Sequence, residues 1–254
     1  VVYINKDGLK SEIYCSPRQI RPAYCIFELI YFSRPDSNVF GENVHLFRKQ
    51  LGKKLAKEFP ADADIVIAIP EGGNSAAMGY SEASGIPLDR GFIRNHYVGR
   101  TFIQPDQWSR HKKVELKLNA IAEVVRGKRV VVVDDSIVRG TTSRSRLKLL
   151  RRAGAKEIHL RISCPPHRFP CHYGIDFQIK DELIAAKHTL EEIKDFLNAD
   201  SLGYLSAEGM LDCTYAPRNH YCNACFTGNY PVTNENVSRK TLKNPPQERK
   251  EITV

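Results

Sequence analysis

The sequence predicts an α/β fold in which a mostly parallel, twisted sheet is flanked by helices. Three observations carry that expectation. Two β-branched runs, Asp64–Pro70 and Arg129–Val133, each end in a glycine-bearing loop that leads into a segment of helical period. A third run, Glu157–Ser163, follows the second of those helices. Four consecutive valines, Val130–Val133, fit a strand buried on both faces, as in the middle of a parallel sheet.

Taken in order, the chain opens extended, and Cys25–Phe32 reads as a buried strand ending in a turn at Arg34-Pro-Asp-Ser37. From about Glu42 to Glu58, apolar Val44, Phe47, Leu51 and Leu55 recur at helical spacing. The Asp64–Pro70 strand stops at Glu71-Gly72-Gly73, and Ser75–Ser84 reads as helix. Gly127-Lys128 precede the Arg129–Val133 strand, which runs into Asp134-Asp135 and a Gly/Thr/Ser loop. A helix follows from roughly Thr142 to Ala153, closed by Gly154. Thr189-Leu-Glu-Glu192 fits a capping box that opens a helix to about Leu197. Beyond Val232 the chain is polar and aperiodic and reads as a flexible tail over 232–254. There is no internal repeat.

Composition narrows the class. The 254 residues carry 38 Lys+Arg against 29 Asp+Glu, a formal net charge of +9, with 42% hydrophobic residues. Such a chain can bury a sizeable core, which argues against a disordered protein or a disulfide-stapled miniature. Apolar stretches such as Ile65–Ile69 are too short to span a bilayer, and the first residues lack the order of a signal peptide. A cytoplasmic protein is expected. The charge is concentrated: Arg94–Lys117 is net +4 and Arg139–Arg152 net +6. Two such segments point to a polyanion bound at one place, generically nucleic acid and specifically a phosphorylated small molecule.

The chemistry sits in Val130-Val-Val-Val-Asp-Asp-Ser-Ile-Val-Arg-Gly-Thr-Thr-Ser143. Two carboxylates at the C-terminal end of a central strand face the crevice where open α/β sheets bind ligands. Small residues and a glycine then lead to a helix N-terminus, whose free N–H groups and dipole favour a phosphate. One segment thereby offers acceptors for a sugar diol and donors for a phosphate. Elsewhere, seven cysteines stand at 15, 25, 164, 171, 213, 222 and 225. Cys222-Asn-Ala-Cys225 is by itself open between zinc, redox chemistry and accident. The eight histidines show no H-x-x-x-H metal spacing.

The fourteen-residue segment resembles the signature of type I phosphoribosyltransferases, enzymes that use phosphoribosyl pyrophosphate (PRPP). Gly91–Ile103, Lys117-Leu-Asn119 and Asp200-Ser-Leu-Gly-Tyr-Leu205 narrow the resemblance to the phosphoribosyltransferase domain of amidophosphoribosyltransferases, over about residues 20–231. The resemblance implies the type I phosphoribosyltransferase fold with a small hood and a C-terminal metal-cluster segment. It divides the chain into an N-terminal segment 1–40 packed on the core, a core over 41–200, a cluster-binding segment over 201–231 and the tail. It implies Mg²⁺-dependent displacement of pyrophosphate from PRPP by ammonia, giving 5-phosphoribosylamine, the committed step of purine synthesis.

Carried over residue by residue, Asp134 and Asp135 would bind the ribose hydroxyls and help hold Mg²⁺. Ser136, Ile137, Val138, Arg139, Gly140, Thr141, Thr142 and Ser143 would form the 5′-phosphate loop. Glu71, Gly72 and Gly73 would face the pyrophosphate. Gly72 stands where the family commonly has serine, which removes one hydroxyl near the metal. Arg100 and Lys117 would meet the pyrophosphate, and Tyr97, Phe102 and Ile103 would line the ammonia path. In one branch of the family four cysteines bind a 4Fe–4S cluster, and the match assigns Cys25, Cys171, Cys222 and Cys225, with structural zinc as the rival. The resemblance further implies a homo-oligomer (a tetramer), feedback by purine nucleotides, and a glutaminase domain or subunit that nothing in this chain matches. The chain alone is then expected to use free ammonia. Two other readings compete: a phosphoribosyltransferase acting on a nucleobase, which the Arg94–Ile103 match disfavours, and a non-catalytic PRPP-sensing regulator bound to nucleic acid. No nucleic-acid-binding signature supports the latter.

Overall fold

The computed structural model describes residues 1–13, 20–94 and 118–232. Helix α1 (Val44–Glu58) starts at Asn43, whose side chain accepts the Leu46 N–H, and buries Val44, Phe47, Leu51 and Leu55 as the periodicity requires. Strand β1 (Ile65–Ala68) leads through the Pro70–Gly73 loop into α2 (Asn74–Ser84). Strand β2 (Arg129–Asp134) leads into α3 (Thr141–Arg152), and β3 (Glu157–Ile162) follows. Helix α4 (Leu190–Leu197) opens on the expected capping box, with Thr189 and Glu192 each bonding the other's backbone, and precedes β4 (Ser201–Tyr204).

The four strands make one parallel sheet in the order β1-β2-β3-β4. Val132 lies between Ile67 of β1 and Leu160 of β3, and Val130–Val133 are wholly buried. Each of these strands ends at the same edge, so the loops after β1 and β2 converge there. That convergence is what builds the site.

Three expectations need correction. Of the expected Cys25–Phe32 strand only Cys25 is extended, as the end of the two-residue strand Tyr24–Cys25, and Glu28–Phe32 is helical. Its buried residues, Ile26, Phe27, Leu29 and Ile30, lie on one side of a helical turn, while Tyr31 and Phe32 are half exposed. A short apolar run does not separate the two conformations by periodicity. The core also runs past residue 200, because Ser201–Tyr204 is the outer strand of the sheet. Within segment 1–40, the hairpin Val2–Asn5 with Gly8–Ser11 has every residue exposed, and among the described residues it is Tyr24–Ile30 together with Val39 and Phe40 that pack on the core.

Two buried arginines, which have no acid partner among the described residues, fasten these elements. Arg161 donates to the carbonyls of Phe59, Pro60 and Leu160 and to Ser201 Oγ, joining the end of α1 to β3 and β4. Arg48 donates to the carbonyls of Leu29 and Ser33, at 2.8 Å each, and so ties the Glu28–Phe32 turn to α1. Each takes carbonyls at or just beyond a helix end, Leu29 and Ser33 for Arg48 and Phe59 and Pro60 for Arg161. Arg161→Met should take the donor from the Pro60 carbonyl and one donor each from the Phe59 carbonyl and Ser201 Oγ, and lower unfolding stability by about 1–3 kcal/mol, read from urea denaturation midpoints.

Candidate active site

Asp134 is the last residue of β2, held against Ile162 of β3 by the sheet register. The chain leaves the strand through Asp135 and Ser136 and reaches Gly140, whose φ of 78° is the left-handed conformation that glycine adopts without a Cβ penalty. From there α3 begins at Thr141 with its first N–H groups free of intrahelical partners. Around this turn lies a cavity of about 500 Å³. Every residue from Asp134 through Ser143 lines it, and so do Pro70, Glu71 and Gly72 from the loop after β1.

The two acids are almost fully enclosed, Asp134 being 3% and Asp135 6% exposed. Asp134 Oδ1 accepts the Asp135 N–H at 3.0 Å, and its Oδ2 meets Arg146 Nη1 at 3.3 Å. Asp135 Oδ1 accepts from Ser136 Oγ at 2.6 Å. Burial pushes the Asp134 carboxyl well above the usual carboxylate range, and the charge on Asp135 adds to the rise. Burial raises Asp135 as well, opposed by the Ser136 hydrogen bond and by the charges of Arg48 and Arg146. The charges of Arg48 and Arg146 do not offset that burial.

Gly72 fits the space against the acids tightly. A Cβ there would sit 1.5 Å from Asp135 Oδ2, so any side chain at 72 would require that carboxylate to move. Gly73, expected among the pyrophosphate residues, is not part of the cavity lining; it is pressed against the sheet, where a Cβ would lie 2.3 Å from the Val133 carbonyl. Glu71 lines the cavity and accepts from Asn74 Nδ2 at 3.1 Å. Tyr97, Arg100, Phe102, Ile103 and Lys117 lie outside the described residues.

Several lining residues were not singled out from the sequence. Arg146 was legible in principle, since it follows Thr142 by four residues on α3 and so shares its face. Phe27, Tyr31 and Phe32, with Ile175, Asp176 and Phe177, form the remaining wall. Phe27 and Phe177 meet edge to face at 5.5 Å, joining two segments far apart in sequence. No local signal announces that contact. Behind it His167 is fully buried against Phe27, Phe177 and Phe226, and burial lowers it to about 3, so its ring is neutral.

The four assigned cysteines come together. Cys25, Cys171, Cys222 and Cys225 line a second, largely apolar cavity of about 450 Å³. Tyr24–Cys25 pairs in parallel with Tyr221–Cys222, which sets Cys25 opposite Cys222. All four are free thiols, and burial raises Cys25, Cys222 and Cys225. Among the described residues no three His, Cys, Asp or Glu side chains converge as ligands of one ion.

Comparison with known proteins agrees with this geometry. A family model described as "Phosphoribosyl transferase domain" matches residues 45–168. The amidophosphoribosyltransferase of Synechocystis sp. is 51% identical over 241 residues, covering 95% of this chain and 48% of the relative. That of Bacillus subtilis is 53% identical over 236 residues, covering 91% and 49%. The chain belongs to the amidophosphoribosyltransferase family. It spans about half the length of the relatives it matches, and the matched half holds the phosphoribosyltransferase domain. The solved structure of glutamine PRPP amidotransferase from B. subtilis complexed with ADP and GMP superposes with a TM-score of 0.80 at 52% identity, over 91% of this chain and 51% of that one. The type I phosphoribosyltransferase fold follows from these matches.

The raised carboxyl of Asp134 has a consequence for stability. A carboxyl whose folded-state pKa exceeds its unfolded one favours folding only while protonated, and that contribution is lost as pH rises through the folded value. At pH 8 the wild-type site therefore bears the cost of a buried charge. Asp134→Asn, which keeps the acceptor for the Asp135 N–H, should raise Tm at pH 8 in metal-free buffer by about 2–5 °C. The gain should vanish as pH falls towards about 4, the ordinary carboxylate range, in differential scanning calorimetry.

Proposed function

We propose that this chain displaces pyrophosphate from PRPP with ammonia to give 5-phosphoribosylamine, the first committed step of purine synthesis. The observation that carries the reading is the single cavity in which two buried carboxylates, a helix N-terminus and the Pro70–Gly72 loop meet. The backbone N–H groups at the start of α3 and the hydroxyls of Thr141, Thr142 and Ser143 would hold the 5′-phosphate. Asp134 and Asp135 would accept hydrogen bonds from the ribose hydroxyls, which fixes the ring and leaves the pyrophosphate towards Glu71 and Gly72. The Phe27–Phe177 wall would keep water from the anomeric carbon, where it would otherwise hydrolyse PRPP.

The acids also suit a divalent cation. Their hard oxygen donors, unbalanced charge and small number fit Mg²⁺, which keeps several waters and takes its other ligands from phosphate. Asp134 and Asp135 are the residues that would hold it. When bound, Mg²⁺ would supply stabilisation of the charge that develops on the departing pyrophosphate.

For the second cavity we propose a 4Fe–4S cluster held by Cys25, Cys171, Cys222 and Cys225. Four reduced thiols surround one apolar space, and four thiolates are the usual complement of such a cluster. Zinc needs thiolates drawn to one point, about 3.8 Å apart for tetrahedral Zn–S bonds. A cube binds each thiolate at a different iron, and so takes four cysteines set around one cavity. Its effect here would be to fasten residues 221–225 and Cys171 to the Tyr24–Cys25 strand. By the family likeness we further propose a glutaminase domain or subunit as the ammonia source, a homotetramer, a cytoplasmic location, and feedback by purine nucleotides. The B. subtilis relative was solved with ADP and GMP. No helix of the described residues is long and apolar enough to cross a membrane.

The test is pyrophosphate release from PRPP by anaerobically purified protein with Mg²⁺, with and without an ammonium salt. Ammonia-dependent release is expected, reduced at least about 100-fold in Asp135→Ala. Release that requires a nucleobase instead would replace this reading with a base-specific phosphoribosyltransferase. Metal and sulfide analysis of the same protein should find iron with acid-labile sulfide and little zinc, and Cys225→Ser should lose both iron and sulfide.

A further inference from the structure

Four carboxylates line the main cavity, and three of them have partners. Asp134 meets Arg146, Asp135 accepts from Ser136, and Glu71 accepts from Asn74. The fourth, Asp176, has no hydrogen-bond or ion-pair partner among the described residues and is exposed at the cavity wall.

Its position is fixed by the backbone around it. The Phe177 N–H donates to the Ile175 carbonyl at 2.9 Å, a tight turn with Asp176 at its apex. Phe177 is buried against Phe27 and His167, and its carbonyl accepts the Cys171 N–H at 3.1 Å. A rigid, apolar support thus presents one unpaired carboxylate to a pocket built for a polyanion.

Water solvates that carboxylate in the open cavity, but against a bound polyanion it would be disfavoured unless it faced a part of the reaction that is neutral or becomes positive. The 5′-phosphate belongs to the turn before α3, and the pyrophosphate to the Pro70–Gly72 loop. Asp176 lies on the wall that belongs to neither. Displacement at the anomeric carbon brings the nucleophile in opposite the leaving pyrophosphate, and among the described residues that wall is the one that neither anionic group occupies. Ammonia donates hydrogen bonds and acquires positive charge as it attacks.

Building on the phosphoribosylamine-forming reading, we infer that Asp176 receives the ammonia and takes its proton. Its carboxylate accepts a hydrogen bond from ammonia. The C–N bond forms at the anomeric carbon as the C–O bond to pyrophosphate breaks, and the pyrophosphate leaves with that electron pair. One proton of the new ammonium group passes to Asp176 and then to water.

The test compares wild type, Asp176→Asn and Asp176→Glu in ammonia-dependent pyrophosphate release, with Mg²⁺-dependent PRPP binding measured on the same preparations. For Asp176→Asn, kcat/KM for ammonia should fall about 100-fold or more while the PRPP Kd stays within about twofold, and Asp176→Glu should recover part of the loss. An unchanged kcat/KM for ammonia would overturn the inference, as would a loss of PRPP binding as large as the loss of rate. If wild type binds PRPP but shows no ammonia-dependent release, the underlying reading fails and this one falls with it.

Discussion

Two carboxylates side by side at the end of a strand with no water on either face set the terms for the rest of this structure. Asp134 and Asp135 cannot both carry charge there without help. Each nearby feature supplies part of that help: Arg146 on α3, the Ser136 hydroxyl, the charge of Arg48, and a Gly72 that leaves room for the Asp135 carboxylate. What remains unbalanced is what a divalent cation and a sugar diol would satisfy. The same desolvation that costs folding stability would favour a ligand that brings positive charge and hydrogen-bond donors.

The sheet makes that arrangement possible. Parallel strands bring every C-terminal end to one edge, so the loop after β1 and the turn after β2 meet although about sixty residues separate them. Arg48 extends the assembly outward: it anchors the Glu28–Phe32 turn to α1, and that turn carries the aromatic side of the cavity. The pairing of Tyr24–Cys25 with Tyr221–Cys222 then closes the C-terminal segment onto the same turn. Phe27, Phe32, Ile175 and Phe177 line both cavities, so the wall of the active site and the wall of the cysteine cavity are one layer of side chains.

That layered arrangement assigns different work to different parts of the chain. The polar turn before α3 offers fixed N–H and hydroxyl donors, which suit a phosphate whose position does not change during reaction. The opposing wall is largely aromatic and aliphatic, with the exposed Asp176 as its one carboxylate without a partner among the described residues. On the proposed reading, donors on one side and a mainly apolar face carrying Asp176 on the other would suit the displacement of an anionic leaving group by a small neutral nucleophile.

The sequence by itself determined the parts whose chemistry is local. Four valines can be accommodated only where both faces are dry, and the Asp-Asp-to-Thr-Thr-Ser segment carries its acceptors, its glycine and its helix start within fourteen residues. The capping box at Thr189 and the α1 face were legible for the same reason, since three- and four-residue spacings decide them. The conformation of Ile26–Phe32 was not, because its apolar run satisfies a strand or a helix equally until Arg48, on another element, takes its carbonyls. Nor was the wall of Phe27, Asp176 and Phe177, which exists only because segments 150 residues apart pack edge to face. Only the tertiary structure decided which side chains share a cavity, because sharing one depends on the whole sheet and on nothing within reach of a single helical turn.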